Sequence, residues 1–222
     1  MFLGHYAVAM AGKKAAPRLS LGTLILSAQL ADLLWPIFLL FGLERVSIEP
    51  GITAFSPFNF MYYPLTHSMV GALGWSLLIG VIYFLARRYA RGAWILAAAV
   101  FSHWVLDLIV HRPDLQLAPW SAIRVGLGLW NSIPATLVVE FGLFALGVAI
   151  YLQTTTAKDA VGRYAFWALV ATLGVIYVSS ALGPPPPSAQ TLAVFVLGGW
   201  LFVPWGYWID RHRVVGNNAL HA

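Results

Sequence analysis

The sequence predicts an all-α, polytopic membrane protein: about six transmembrane helices plus a shorter N-terminal helix inserted partway. Three observations carry that prediction. Of 222 residues, 60% are hydrophobic and 9% charged, with a mean hydropathy of +0.78, whereas soluble domains carry about a quarter charged residues. The apolar residues gather into runs of about 19 or more, each long enough to cross roughly 30 Å of hydrocarbon. Lys and Arg fall in the connections between runs, dense on one side and sparse on the other. No linker or internal repeat divides the chain, so residues 1–222 read as one helical domain. There is no cysteine, which excludes disulfides, thiolate chemistry and Cys-ligated metal while leaving His and carboxylate sites open.

Residues 1–12 are apolar but too short to cross. Lys13, Lys14 and Arg18 follow them instead of a small-residue cleavage site, so a retained, half-inserted helix is expected rather than a removable signal. The first full span covers 20–42, with Pro36 expected to kink it one turn beyond Asp32. The connection 43–67 carries Phe55, Phe58, Phe60, Tyr62 and Tyr63, a composition that lies at headgroup level. Spans 68–86 and 92–110 are joined at Arg87, Arg88 and Arg91, and Pro113 closes the second of them. The connection 111–133 holds Trp120 and Trp130 and leads into a span at 134–152. Spans at 164–182 and 189–209, separated by the Pro-rich turn Gly183–Ser188, contain no motif and read as scaffold.

Counting basic residues on alternate sides places Lys13, Lys14, Arg18, Arg87, Arg88, Arg91, Lys158, Arg163, Arg211 and Arg213 together, against Arg45, Arg112 and Arg124. By the positive-inside rule both termini are cytoplasmic and the two aromatic connections face outward. The net charge of +5 therefore reads as a topology signal, with membrane lipids rather than nucleic acid as the expected partner.

The ionisable residues inside the spans are few: Asp32, His103, Asp107 and Glu140, with His67 opening the second span. A mid-bilayer carboxylate costs roughly 2.5–3.5 kcal/mol, so three of them demand compensation. Counting about 1.5 Å per residue puts His103 about 18 Å and Asp107 about 24 Å above Arg91, and Asp32 about 20 Å above Arg18, so the three share a level. His67 and Glu140 fall in the same half. His103 and Asp107, four apart, lie on one helix face, the spacing at which two side chains reach one divalent ion. A hydrogen-bonded structural pair is the alternative for these two alone; Asp32 and His67 at the same depth favour ligation. His5, on a half-inserted helix, is a possible fifth ligand or else a solvated terminal residue. Glu140 has three readings: support for a ligating His, general base, or partner of Arg112 or Arg124. Those two arginines read as snorkelling to lipid headgroups, Asp114 as a loop carboxylate, Asp210 as a flanking charge, and His212 and His221 as solvated.

These residues resemble the pattern of the bacterial inner-membrane metal-dependent hydrolases, a family with LexA-regulated members that is distantly similar to zinc phospholipase C. The matching features are Gly4-His5-Tyr6-Ala7 near the N-terminus, Asp32 in the first long segment, Thr66-His67-Ser68 opening the next helix, and His103-x-x-x-Asp107. They run in order over residues 1–114. Where that family often has Pro-Asp-x-Asp, this chain has the single Asp32, and its frequent Arg-Gly before Thr-His-Ser is here Pro64-Leu65. The resemblance implies a bacterial inner-membrane location and one or two divalent ions, with zinc foremost, on His5, Asp32, His67, His103 and Asp107. Asp32 or Glu140 would then be the base, acting on a lipidic or amphiphilic ester or phosphoester. Two other readings of the buried cluster are an ion or proton carrier and a non-catalytic scaffold or lipid-binding subunit.

Overall fold

The computed structural model describes residues 1–216, so the expectation for His221 lies outside the described residues. Helix α1 (Leu3–Ala15) ends on Lys13 and Lys14, which favours the negative end of its dipole. At 13 residues it is about 20 Å long, too short to cross. It does not lie on the surface: Leu3, Ala9 and Met10 are fully enclosed among the other helices. Glycine makes that possible, because a Cβ at Gly147 would lie 2.6 Å from the Ala7 Cα.

Ser20 caps α2 (Leu21–Ala28) by accepting from the Thr23 N–H at 3.0 Å. Helix α3 (Leu30–Leu40) leaves it at 55°. The expected kink at Pro36 is thus corrected: the break falls at Gln29 (φ −100°, ψ 6°), and Pro36 sits within α3. Packing decides the position, since α2 lies against α1 and the later helical segment Phe202–Arg211, whereas α3 turns to meet the segment Ala189–Leu197.

Strands β1 (Arg45–Ile48) and β2 (Phe58–Tyr62) pair antiparallel, and Pro64 starts the single turn α4 (Pro64–His67). Ser68 then caps α5 (Met69–Arg87), which ends at Arg88 in the left-handed region (φ 49°). Helix α6 (Ala90–Val110) returns alongside it, followed by the short pair β3 (Leu115–Gln116) and β4 (Arg124–Val125). Ser132 caps α7 (Ile133–Thr154). Strand β5 (Thr155–Ala157) leads to α8 (Ala160–Leu182), capped by Asp159. The chain then runs through α9 (Ala189–Leu197), a 3₁₀ turn and α10 (Phe202–Arg211) to β6 (Arg213–Val215), which pairs with β5.

Among the described residues five helical segments are long and apolar enough to cross a membrane, or six when the bent α2–α3 pair counts as one. The chain is a multi-pass, nearly all-α membrane protein. Helix α5 shows why: Leu73, Leu77, Val81 and Leu85, one turn apart, are 46–69% exposed and form an apolar stripe facing away from the protein. The two ends of the bundle differ. At one, Arg91 Nε donates to Ala15 O, Lys13 pairs with Asp210 at 2.8 Å, and Lys158 reaches Arg211 O, bringing the basic connections together. At the other, the aromatic connections expected as loops contain the two strand pairs. They interlock through Phe55 N–H to Trp130 O and Val70 N–H to Leu117 O, and bury Phe60, Tyr63 and Trp130.

The close approach of α1 to α7 gives a direct test. Gly147→Val should cost about 1–3 kcal/mol by overpacking and lower the unfolding midpoint in detergent. Gly142→Val, on the same helix with nothing within 4 Å of its new Cβ, should leave the midpoint unchanged.

Candidate metal centre

Four elements deliver five side chains to one point in the half of the bundle nearest the aromatic end. Helix α6 contributes His103 and Asp107, one turn apart on one face. Helix α3 contributes Asp32, three residues beyond the break at Gln29. The last residue of α4 is His67, and α1 brings His5. All but Asp32 are at least 95% buried, while the Asp32 side chain is 31% exposed and forms the open side of the cluster.

The separations are tight. His103 Nε2 lies 3.3 Å from Asp107 Oδ2 and 3.6 Å from Asp32 Oδ1. His67 Nε2 lies 3.5 Å from Asp32 Oδ1 and 3.7 Å from Asp107 Oδ2. On the far side, the other oxygen of Asp107 meets His5 Nε2 at 3.2 Å and the terminal ammonium of Met1. The His5 and His103 rings stack with centroids 3.6 Å apart.

Hydrogen bonding to the opposite ring nitrogens fixes what these atoms carry. His103 Nδ1 is 2.8 Å from the carbonyl of Ala28, which can only accept, so Nδ1 carries a hydrogen, and in the neutral ring Nε2 is the free lone pair. His67 Nδ1 is 2.6 Å from Thr66 Oγ1, whose own hydrogen goes to Glu44 Oε2 at 2.7 Å. That hydroxyl can therefore only accept from the ring, and in the neutral ring His67 Nε2 is likewise the free lone pair. The two Nε2 atoms thus converge on two carboxylates, a set that protonated rings or a bound cation would neutralise; among the described residues His103 Nε2 is buried with no hydrogen-bond partner. Each of these His–carboxylate separations of 3.3–3.7 Å is close to the distance of about 3.4 Å between two ligand atoms on one tetrahedral ion with bonds of about 2.1 Å. Two overlapping triads, Asp32 with His67 and His103, and His5 with His103 and Asp107, could each hold a metal ion.

Glu140 has a different task from those expected. Both its oxygens accept backbone N–H groups at the start of α1, from Phe2 at 3.0 and 3.1 Å and from Gly4 at 3.1 Å. A carboxylate so placed caps the start of a helix. It anchors the segment that carries His5. Asp114 is likewise no solvated loop charge: it is 2% exposed, accepts from the Tyr63 hydroxyl at 2.9 Å, and meets His111 and Arg112. Arg112 also donates to Asn59 Oδ1, and Arg124 to the Met61 carbonyl, so both hold the ribbons together. In this outer network burial pushes the Tyr63 hydroxyl well above its usual range, with Asp114 adding to the effect. Asp210 is not an idle flank, since it receives Lys13, the Leu21 N–H and the Tyr151 hydroxyl. His212 pairs with Asp159 at 2.8 Å, which draws that carboxyl below its ordinary value.

Glu44 and Thr66 were not singled out in the sequence. Glu44 is 1% exposed and accepts from the N–H groups of Leu65 and Thr66 as well as the Thr66 hydroxyl. Burial raises its carboxyl above the usual range, while His67 and these donors pull the other way. It stands 22 residues before Thr66, so no helical or strand spacing joins the two. The comparisons with known proteins are silent on the site: no family model, curated protein or solved structure matches the chain.

The Thr66 hydroxyl makes a specific demand. Thr66→Val removes the acceptor for His67 Nδ1 at nearly constant volume, and metal affinity measured by competition with a chromophoric chelator should fall about 10–100-fold. Thr66→Ser should restore it, whereas an equal loss in both variants would exclude a role for the hydroxyl.

Proposed function

We propose that this protein is a membrane-embedded, metal-dependent hydrolase acting on a lipidic or amphiphilic ester or phosphoester. The observation that carries the reading is the pair of buried nitrogens, His67 Nε2 and His103 Nε2, each on a ring whose Nδ1 is committed elsewhere, facing Asp32 and Asp107 at 3.3–3.7 Å. Two imidazoles and two carboxylates without sulfur suit zinc. A single ion is expected, because the Nδ1 of His103 and of His67 is already committed and each ring offers only Nε2. His5, on the opposite oxygen of Asp107, then orients that ligand rather than binding a second ion.

A divalent ion held there would supply Lewis acidity and bring the pKa of water in its coordination sphere toward about 7. The residues around it supply the rest. A cavity of about 10 Å³ borders His67 and His103, room for about one water molecule. Asp32 has one oxygen toward the histidines and a partly exposed side chain, which makes its Oδ2 the candidate to accept the proton of the attacking water. Trp75, Trp104 and Ala72 wall the cavity and keep bulk water from it. The site's depth among apolar helices favours a substrate that arrives through lipid. The similarity to the inner-membrane metal-dependent hydrolases supports the same class, and a bacterial inner-membrane setting with cytoplasmic termini accompanies it.

Protein purified in detergent without chelators should contain about one zinc per chain by mass spectrometry, lost in His103→Ala together with turnover of fluorogenic phospholipid or carboxyl-ester substrates. Wild-type protein that is folded, carries no metal and takes up none would leave a structural cluster and sink the hydrolase reading. For orientation, cysteine introduced at Ala122 should react with a membrane-impermeant thiol reagent in intact cells, and cysteine at Thr156 only after lysis. The reverse pattern would invert the topology.

A further inference from the structure

At the basic end of the bundle, far from the metal centre, a cleft of about 620 Å³ opens between α2 and α10 on one side and the α5–α6 hairpin on the other. From Tyr89 on its rim to His103 is 14 residues of α6, about 21 Å. Arg18 and Arg87 line it together with Thr23 and the phenols of Tyr83, Tyr89 and Tyr207, and no carboxylate does. Among the described residues neither arginine has an ion-pair or hydrogen-bond partner. The Arg18 guanidinium is held over the Tyr89 ring at 4.7 Å, which limits the freedom it would lose on binding. Opposite it, Ser20, Thr23 and Tyr207 form a chain of hydroxyls with oxygens 2.7 and 2.9 Å apart. The nearest acid on α10, Asp210, is neutralised by Lys13 at 2.8 Å.

Two unpaired guanidinium groups sharing one cleft repel each other unless an anion lies between them, and guanidinium forks with hydroxyl donors suit phosphate oxygens. The volume exceeds what a bare phosphate fills and falls within the range of ligand sites of about 300–1,000 Å³. Helix α5, which bears Tyr83 and Arg87, exposes Val81, Phe84 and Leu85 toward the hydrocarbon on its preceding turns, a surface for acyl chains just below the headgroup level. We propose that this cleft is a binding site for the phosphate-bearing headgroup of an anionic phospholipid in the leaflet at the basic end, separate from the metal centre. It anchors the α1–α2 connection to the α5–α6 hairpin through the lipid.

Native mass spectrometry of the full chain in a neutral detergent, titrated with phosphatidylglycerol or phosphatidylcholine, tests the assignment. The wild type should retain phosphatidylglycerol preferentially, and Arg18→Gln with Arg87→Gln should weaken that retention about tenfold or more. Arg87→Gln alone, at an exposed helix end, should weaken it about threefold. Lys14→Gln with Arg163→Gln removes equal charge from the same end outside the cleft and should change nothing. Unaltered retention in the Arg18/Arg87 variant, or an equal loss in the Lys14/Arg163 control, would overturn the site. Displacement of the lipid by millimolar inorganic phosphate would assign the cleft to soluble phosphate and overturn the lipid assignment. Unfolding midpoint and metal content, unchanged across the series, separate local loss from misfolding.

Discussion

The structure depends on one constraint: charge placed inside an apolar bundle must be met by charge or hydrogen bonds from the same bundle. Asp107 is where that constraint is tightest. Its two oxygens look in opposite directions, one toward His103 and His67, the other toward His5 and the Met1 ammonium. A lone carboxylate at that depth would cost several kcal/mol. The elements that compensate it come from α1, α4 and α6, so meeting the cost of one side chain draws distant parts of the chain together. The buried N-terminal helix follows from this. Its thirteen residues cannot span, yet Glu140 caps its start and Lys13 locks its end to Asp210.

The polar residues are layered along the bundle axis, and each layer solves a different problem. Nearest the aromatic end, Tyr63, His111, Asp114 and Arg112 form a network that fastens the two ribbons. Below it lies the five-residue cluster of three histidines and two carboxylates. At the basic end, Lys13 and Asp210 pair while Arg18 and Arg87 do not.

Much of this was legible in the sequence because a membrane makes depth countable. A helical rise of 1.5 Å per residue from the flanking arginines puts Asp32, His103 and Asp107 at one level before any packing is known. The half-inserted helix likewise brings His5 into reach, and the structure holds it against Asp107. What could not be read was whatever depends on which helix faces which. Glu140 shares the depth of the cluster but turns to the N–H groups of α1, and depth alone does not separate those outcomes. The break at Gln29 follows from the different neighbours of α2 and α3, whereas Pro36, the local signal, misleads. Glu44 acts across a folded loop, and the ribbons arise in segments whose aromatic content signalled only the interface.

The relay from Glu44 through Thr66 to His67 shows how a loop residue can decide the chemistry of a buried centre. A histidine adjacent to two carboxylates would ordinarily be held as a hydrogen-bond donor by them, with no lone pair to offer. Here Glu44 takes the only hydrogen of the Thr66 hydroxyl, which obliges that oxygen to accept from His67 Nδ1 and, in the neutral ring, leaves Nε2 as the lone pair. The Ala28 carbonyl does the same for His103, and it is available because the helix breaks one residue later at Gln29. Both lone pairs thus trace to irregular backbone, the broken span and the one-turn helix α4. Backbone of this kind is tolerated at membrane depth only where protein encloses it, and here it lies against the cluster whose hydrogens it assigns.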